Sequence, residues 1–358
     1  MRASPLLVAL AATCLPLLAG GEIPPAPYAE LSARGREARG LFLPTPQLAV
    51  RGHRTISRMA RAARLDAVVF DLKDESGRVL FDTSVPTLRT SRVVVHRHLS
   101  GMVADLHARG HWVVGRIVCF KDDRLAMARP DLAASDDRNG GLWRSTSRSH
   151  WLDPGHPEVV DALVGLSKEA EALGLDEVQF DYIRYPVDSR SKHALFPTGD
   201  GTPRRRVIAR FLAAADDAIG IPISVDVFGL TVYRDGDPSG LGQSLEDMAP
   251  YIEVLSPMLY ASDFGDRWIR TQAAHPIGPI VWTAVRAARR RLGPAVAIRP
   301  YLQAFDFRAP GYGQEFMKAQ IQAARGAGAD GFLFWNPGCA YWTVFRTLAS
   351  MGLFRRGG

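Results

Sequence analysis

The sequence has only three cysteines in 358 residues, and none forms a CxxC pair, so neither a thiolate-held metal nor a disulfide scaffold is implied. No HExxH offers a zinc-binding helix, no GxSxG a nucleophile elbow, and no P-loop a phosphate cradle. These absences set aside zinc proteases, elbow-type serine hydrolases and P-loop enzymes. An uninterrupted apolar run of the roughly 20 residues that a membrane span requires is also missing, and no stable membrane span is expected. The formal charge is +7, yet the arginine groups Arg204 to Arg206 and Arg289 to Arg291 have no interleaved aromatics and no helix-turn-helix pattern, so nucleic acid is not implied. The histidines His96, His98, His107 and His111 lie in or beside one predicted helix and read as packed or solvated side chains. No cofactor and no metal site is expected; a carboxylate-rich rim is the one route to Ca²⁺ that needs no motif.

What is present starts with an export pattern. Arg2 precedes an apolar run from Leu6 to Leu18, interrupted by Pro16, and Ala19 and Gly21 supply small residues for cleavage. Residues 1–21 are read as a signal peptide and the protein as periplasmic or secreted. Cys14 after Leu10 to Thr13 faintly resembles a lipoprotein cleavage box, with Thr a poor fit, so a lipid-anchored form is the lesser alternative. Residues 22–37 carry three prolines and read as a linker or N-terminal arm. Of the remaining cysteines, Cys119 and Cys339 fall near the ends of strands that are not neighbours, and buried free thiols are expected. The sequence does not reveal the oligomeric state.

From residue 38 the chain alternates strands with helices. Apolar runs of strand length occur at Arg39 to Leu43, Asp66 to Lys73, Trp112 to Phe120, Glu177 to Tyr185, Pro222 to Phe228, Ile252 to Tyr260, Ala297 to Ala304 and Gly331 to Trp335. Each is followed by a stretch with apolar spacing near three and four, such as Pro157 to Leu173 or Trp268 to Arg291. With 47% hydrophobic residues there is enough apolar material for one large core. The fold class is α/β, a single (β/α)₈ TIM barrel over residues 38–358 with long loops at its C-terminal face. A doubly wound open sheet is the alternative, weakened because no glycine-rich phosphate loop follows the first strand. The connection from Lys121 to His156 far exceeds the usual few residues and is expected to cover the barrel mouth. Two further long loops, Val187 to Thr202 and Leu230 to Gly242, follow strands that end in aspartates and suggest a cleft beside them.

The stretch Leu175 to Pro186, LDEVQFDYIRYP, organises the rest. Val178, Phe180 and Ile183 suit a buried strand, while Asp181 shares a face with Gln179 two residues earlier. A carboxylate ending an apolar strand needs a partner or a task. This stretch resembles the signature of a bacterial TIM-barrel family of unknown function, the "Putative glycosyl hydrolase domain". Further segments resemble it in order: VVFDLKDESGRVLFD from Val68, GGLWRSTSRSHWLDP from Gly140, SVDVFG from Ser224, LSPMLYASDFG from Leu255, RPYLQAF from Arg299 and GFLFWNP from Gly331. The resemblance implies a carbohydrate-directed barrel with a carbohydrate substrate.

Glycosidic bond hydrolysis needs two carboxyl groups at one rim. Asp181 ends the fourth strand and Asp226 lies near the end of the fifth, so adjacent strands supply the pair. Asp181 is read as nucleophile, kept ionised by Arg184 or a nearby tyrosine. Asp226 is read as acid/base, its pKa raised by Val225, Val227 and Phe228; exchanged roles remain open. Retention corresponds to a gap of about 5 to 5.5 Å and inversion to about 6.5 to 9.5 Å; retention is the reading taken, with inversion left open. Asp71, Gln179, Tyr182, Arg184, Tyr260, Gln303, Trp335 and Asn336 are the substrate-binding candidates. Asp71 also reads as a salt-bridge partner of Lys73 on the same strand face, or as the second catalytic acid. Arg299, Tyr301 and Gln303 share a face of the seventh strand, and Asp263 and Asp266 are reserve acids. Trp143 and Trp151 either stack on sugar rings or pin the long loop. Two other functions stay open: a barrel that binds polysaccharide without cleaving it in envelope or capsule assembly, and a transglycosylase.

Overall fold

The computed structural model describes residues 30–44, 52–198, 201–237, 239–264 and 277–352. The expected signal peptide, residues 22–29 of the arm, Asp266 and the start of the helix expected at Trp268 lie outside the described residues.

Eight parallel strands close into a barrel. They are β1 (Arg39–Leu43), β2 (Ala67–Lys73), β3 (Trp112–Val118), β4 (Glu177–Asp181), β5 (Ile223–Phe228), β6 (Val254–Leu259), β7 in two pieces (Ala297–Ile298 and Tyr301–Gln303) and β8 (Phe332–Trp335). Each pairs with the next, and β8 returns to β1 with Arg39 opposite Phe332 and Leu41 opposite Phe334, so no strand edge is left open. The principal helices between and after them are α1 (His53–Ala62), α2 (Leu99–Ala108), α3 (Pro157–Ala172), α4 (Arg204–Asp216), α5 (Leu245–Met248), α6 (Ile277–Leu292), α7 (Gln314–Gly326) and α8 (Trp342–Ser350). Pro157 opens α3, where the missing N–H would have had no helical partner, and the His156 side chain accepts from the Glu158 N–H. This is the (β/α)₈ barrel expected from the strand runs.

Period-two alternation divides every strand between two environments. On β4, Val178 and Phe180 join the core between sheet and helices, with Phe180 packed edge-on against Phe211 of α4. Glu177, Gln179 and Asp181 turn the other way, toward the barrel axis, where they meet side chains from β3 and β7. On β5, Val225 and Val227 belong to the outer core.

The segment from Lys121 to His156 departs from expectation. It forms a short helix (Asp123–Ala128), and Ser135–Asp136 pairs antiparallel with Ala194–Leu195 of the loop after β4. Trp143 is fully buried and donates its Nε1–H to the Arg190 carbonyl at 3.2 Å, so it pins the two loops together. Packed in this way, the segment stands beside the mouth and supplies none of the cleft lining. Cys119 and Cys339 are both buried free thiols, as expected. Among the described residues no helix is long and apolar enough to cross a membrane.

Candidate active site

The barrel interior is a polar column in three layers. Lowest, Glu177 of β4 pairs with Arg299, which lies between the two pieces of β7; Trp112 Nε1 donates to Glu177 Oε2 at 2.9 Å, and Arg299 Nη1 donates to the Gly35 carbonyl at 3.0 Å. Two residues up each strand, the Tyr301 hydroxyl donates to Gln179 Oε1 at 2.7 Å. Two residues further along β4 comes Asp181. Arg116 of β3 donates to its Oδ2 through Nε at 3.0 Å and Nη2 at 2.6 Å, and through Nη1 to Asp71 of β2. Arg116 faces Asp71 directly in the β2–β3 register. TIM-barrel interiors are usually filled by branched apolar side chains, so this column is a departure.

Above it opens a cleft of about 350 Å³. Asp181 and Asp226 both line it, together with Arg116, Tyr182, Arg184, Ser262 and Asp263. Its remaining wall is Met258 and seven aromatic residues, Phe42, Phe228, Tyr260, Tyr301, Phe305, Phe307 and Trp335. Tyr260 and Trp335 stack with centroids 5.3 Å apart, and Phe305 meets both edge-on. Faces of this kind suit the C–H surface of a sugar ring.

The two carboxyl groups have different surroundings. Asp181 accepts the two Arg116 bonds and also the Tyr182 N–H at 2.5 Å. To make that last contact Tyr182 takes φ of 49°, a left-handed conformation rare for a bulky residue and typical of constrained sites. Asp226 is 2% exposed, and its Oδ1 has no hydrogen-bond partner among the described residues. Burial first, and then the neighbouring Asp181 charge, push the Asp226 carboxyl well above the usual carboxylate range.

Several expected contacts are corrected. Asp181 is held by Arg116 instead of Arg184, whose guanidinium lies among the Trp151, Tyr182 and Phe228 rings. Val225 and Val227 do not desolvate Asp226, because strand alternation sends them to the outer core; the barrel interior does so instead. Asp71 and Lys73 do not pair. A register shift between them turns Lys73 outward to Asp122, at 2.8 Å, and to the Val118 carbonyl. Of the substrate-binding candidates, Tyr182, Arg184, Tyr260 and Trp335 line the cleft. Asp71 and Gln179 are committed below it, to Arg116 and Tyr301. Gln303 donates to the Phe305 and Phe307 carbonyls, and its backbone N–H is taken by Gln320 of α7. Asn336 holds its own loop, donating to the Ala304 carbonyl and accepting from Gly338 and Ala340. Both therefore shape the rim from behind. Trp151 is buried, backing Tyr182 and Arg184. The reserve acid Asp263 does reach the cleft.

Sequence reasoning missed Arg116, Phe42, Phe305 and Phe307. Arg116 carried one usable signal, a charge inside the otherwise apolar run WVVGRIV. Among the described residues no three His, Cys, Asp or Glu side chains are grouped to hold a metal ion.

The fold has solved counterparts. The glycoside hydrolase domain of PgaB (BpsB) from Bordetella bronchiseptica superposes with a TM-score of 0.64 at 14% identity, covering 90% of this chain and 100% of that one. The alpha-L-fucosidase isoenzyme 2 of Paenibacillus thiaminolyticus does so at 0.60 and 14%, covering 88% of this chain but 49% of its own. A hypothetical protein from Ruminiclostridium thermocellum is 32% identical over 52% of this chain and 97% of that one, with a TM-score of 0.48. None of the curated proteins matches. Residues 40–341, nearly the whole barrel with its rim, match one family along their length, and the chain belongs to that family, the "Putative glycosyl hydrolase domain".

Proposed function

We propose that the cleft hydrolyses a glycosidic bond in a polysaccharide, with Asp226 as the proton donor and Asp181 as the nucleophile. One observation carries this reading: two carboxyl groups at the ends of adjacent strands share an aromatic cleft while their environments differ. Asp226, buried and beside another acid, keeps its proton for the departing glycosidic oxygen. Asp181 makes only accepted hydrogen bonds, as an oxygen attacking an anomeric carbon must. Environments that separate two carboxyl pKa values are the usual basis for dividing acid and nucleophile. Membership in the "Putative glycosyl hydrolase domain" family is consistent with the same chemistry. Arg116 then acts as a positioning residue, fixing the rotamer of Asp181.

The test uses a panel of aryl glycosides together with polysaccharide assayed for new reducing ends. Asp181→Asn and Asp226→Asn are each expected to lower kcat/KM by about 10²–10⁴-fold. With a 2,4-dinitrophenyl leaving group, which departs without a proton, the Asp226→Asn deficit should shrink and the Asp181→Asn deficit should not. The first-formed anomer should retain its configuration. Undiminished turnover in Asp181→Asn would refute the assignment. Polysaccharide binding by the parent protein without any new reducing ends would establish the non-cleaving alternative.

A further inference from the structure

Buried arginines in this barrel answer to carboxylates. Arg116 has Asp71 and Asp181, Arg299 has Glu177, and the largely covered Arg291 has Glu246. Half-buried Arg184 is placed differently. It lines the same cleft as Asp181 and Asp226, and among the described residues it forms no salt bridge. Its hydrogen bond is one from Nη1 to the neighbouring Tyr185 carbonyl, at 3.1 Å, so most of its donors are unspent. Three aromatic rings surround it, with centroids 4.8 Å (Trp151), 5.2 Å (Tyr182) and 4.5 Å (Phe228) from the guanidinium carbon. Ring faces partly offset the loss of water around a cation, but they accept no N–H in the plane of the fork.

A second cation stands nearby. The Lys121 ammonium lies 5.0 Å from the centre of the same Tyr182 ring and likewise forms no salt bridge among the described residues. Burial lowers the pKa of both groups, and the Arg184 charge lowers that of Lys121 further. Of the acids whose charge reaches them, Asp181 holds Arg116, Asp188 receives Thr146 and the Arg190 N–H, and Asp123 holds His150; Glu75, exposed to solvent, raises the pKa of Lys121 without forming a salt bridge to it. Two neighbouring, partly buried cations that form no salt bridge among the described residues leave room for a negative charge that arrives from outside.

We infer that the cleft selects an acidic sugar, and that Arg184 receives the carboxylate of a uronic acid residue bound beside the Asp181–Asp226 pair. This rests on the reading of the cleft as a carbohydrate site. A planar carboxylate matches the in-plane donors of a guanidinium, and a single fixed fork with Lys121 behind it suits a monoanion.

The experiment measures binding, so that it does not depend on turnover. Polygalacturonate, alginate and hyaluronan are each compared with their carboxyl-reduced forms, which keep the backbone and lose the charge. The full chain, Arg184→Gln, Arg184→Lys and a distant surface control, Arg346→Gln, are titrated calorimetrically, each variant first checked for an unchanged Tm. For at least one backbone the parent should bind the acidic form about tenfold or more tightly than the reduced form, the scale of one charge-assisted contact. Arg184→Gln should bring the ratio near one, Arg184→Lys should keep part of it, and Arg346→Gln should leave it unchanged. Equal binding of acidic and reduced forms by the parent, or a ratio that survives Arg184→Gln, overturns the inference. Selective binding without cleavage would instead refute the hydrolase reading and leave this one standing.

Discussion

Asp71 shows how much a single carboxyl group can owe to its surroundings. Burial pushes it up to about 7 against the opposing pull of Arg116, from 3.8 for an ordinary aspartate. The folded protein therefore holds a proton there that the unfolded chain releases. The contribution of this group to stability is full below about pH 4, declines as pH rises toward 7, and is flat beyond. Asparagine cannot ionise. Asp71→Asn should accordingly gain on the parent by on the order of 3 kcal/mol between about pH 4 and about pH 7.5, read from urea unfolding of both proteins at the two pH values. A difference that does not change with pH would mean that Asp71 is ionised throughout. The same cluster marks a limit of legibility. That Asp181 and Asp226 lie at the polar ends of adjacent strands and open into one cleft was visible from the sequence, since each is a charge in an apolar strand. That Arg116, 65 residues before Asp181, is its partner was not, because spacing along a chain says nothing about which strands lie side by side.

Strands fare better than contacts. All eight runs picked out by apolar pattern are strands, and their ends fall within a few residues of the expected ones except where polar rims were included, as at Tyr182 to Tyr185. Closure adds constraints that propensity does not reveal. Gly40 of β1 sits against β2 so closely that a Cβ would lie 2.4 Å from the Ala67 carbonyl oxygen. Neither backbone can move without disturbing a strand that is paired on both sides. Gly40→Ala is thus expected to cost about 1–3 kcal/mol in chemical denaturation, while leaving the cleft residues in place. A neutral effect would show that β1 can shift outward. The register shift in β2 is a comparable case: it separates Asp71 from Lys73, which strict alternation would have kept together.

At the level of the whole barrel, the polar column divides into a sealed floor and a top that opens into the cleft. The Glu177–Arg299 pair is fully buried, and Trp112 also depends on it. Removing one partner alone strands the other charge, so Arg299→Met should destabilise by about 3–5 kcal/mol. Glu177→Gln with Arg299→Met leaves no charge in the floor and keeps an acceptor for Trp112; it should recover most of that loss, and hydrolysis by the parent should persist in the double variant. Loss of activity in a stably folded double variant would place the floor within the catalytic machinery.

The sequence by itself determined the strand and helix order, the α/β barrel, the polar ends of β4 and β5 and the buried thiols, because each is written in local pattern: apolar period, turn residues, a charge where none is expected. The tertiary structure alone decided which residues meet. Arg116 holds Asp181, Lys73 goes to Asp122, the long loop stands aside, and Arg184 is left among aromatic rings without an acid. Those outcomes depend on the register and closure of eight strands, and an ion pair in a barrel forms between side chains at one height on the axis, however far apart they lie along the chain.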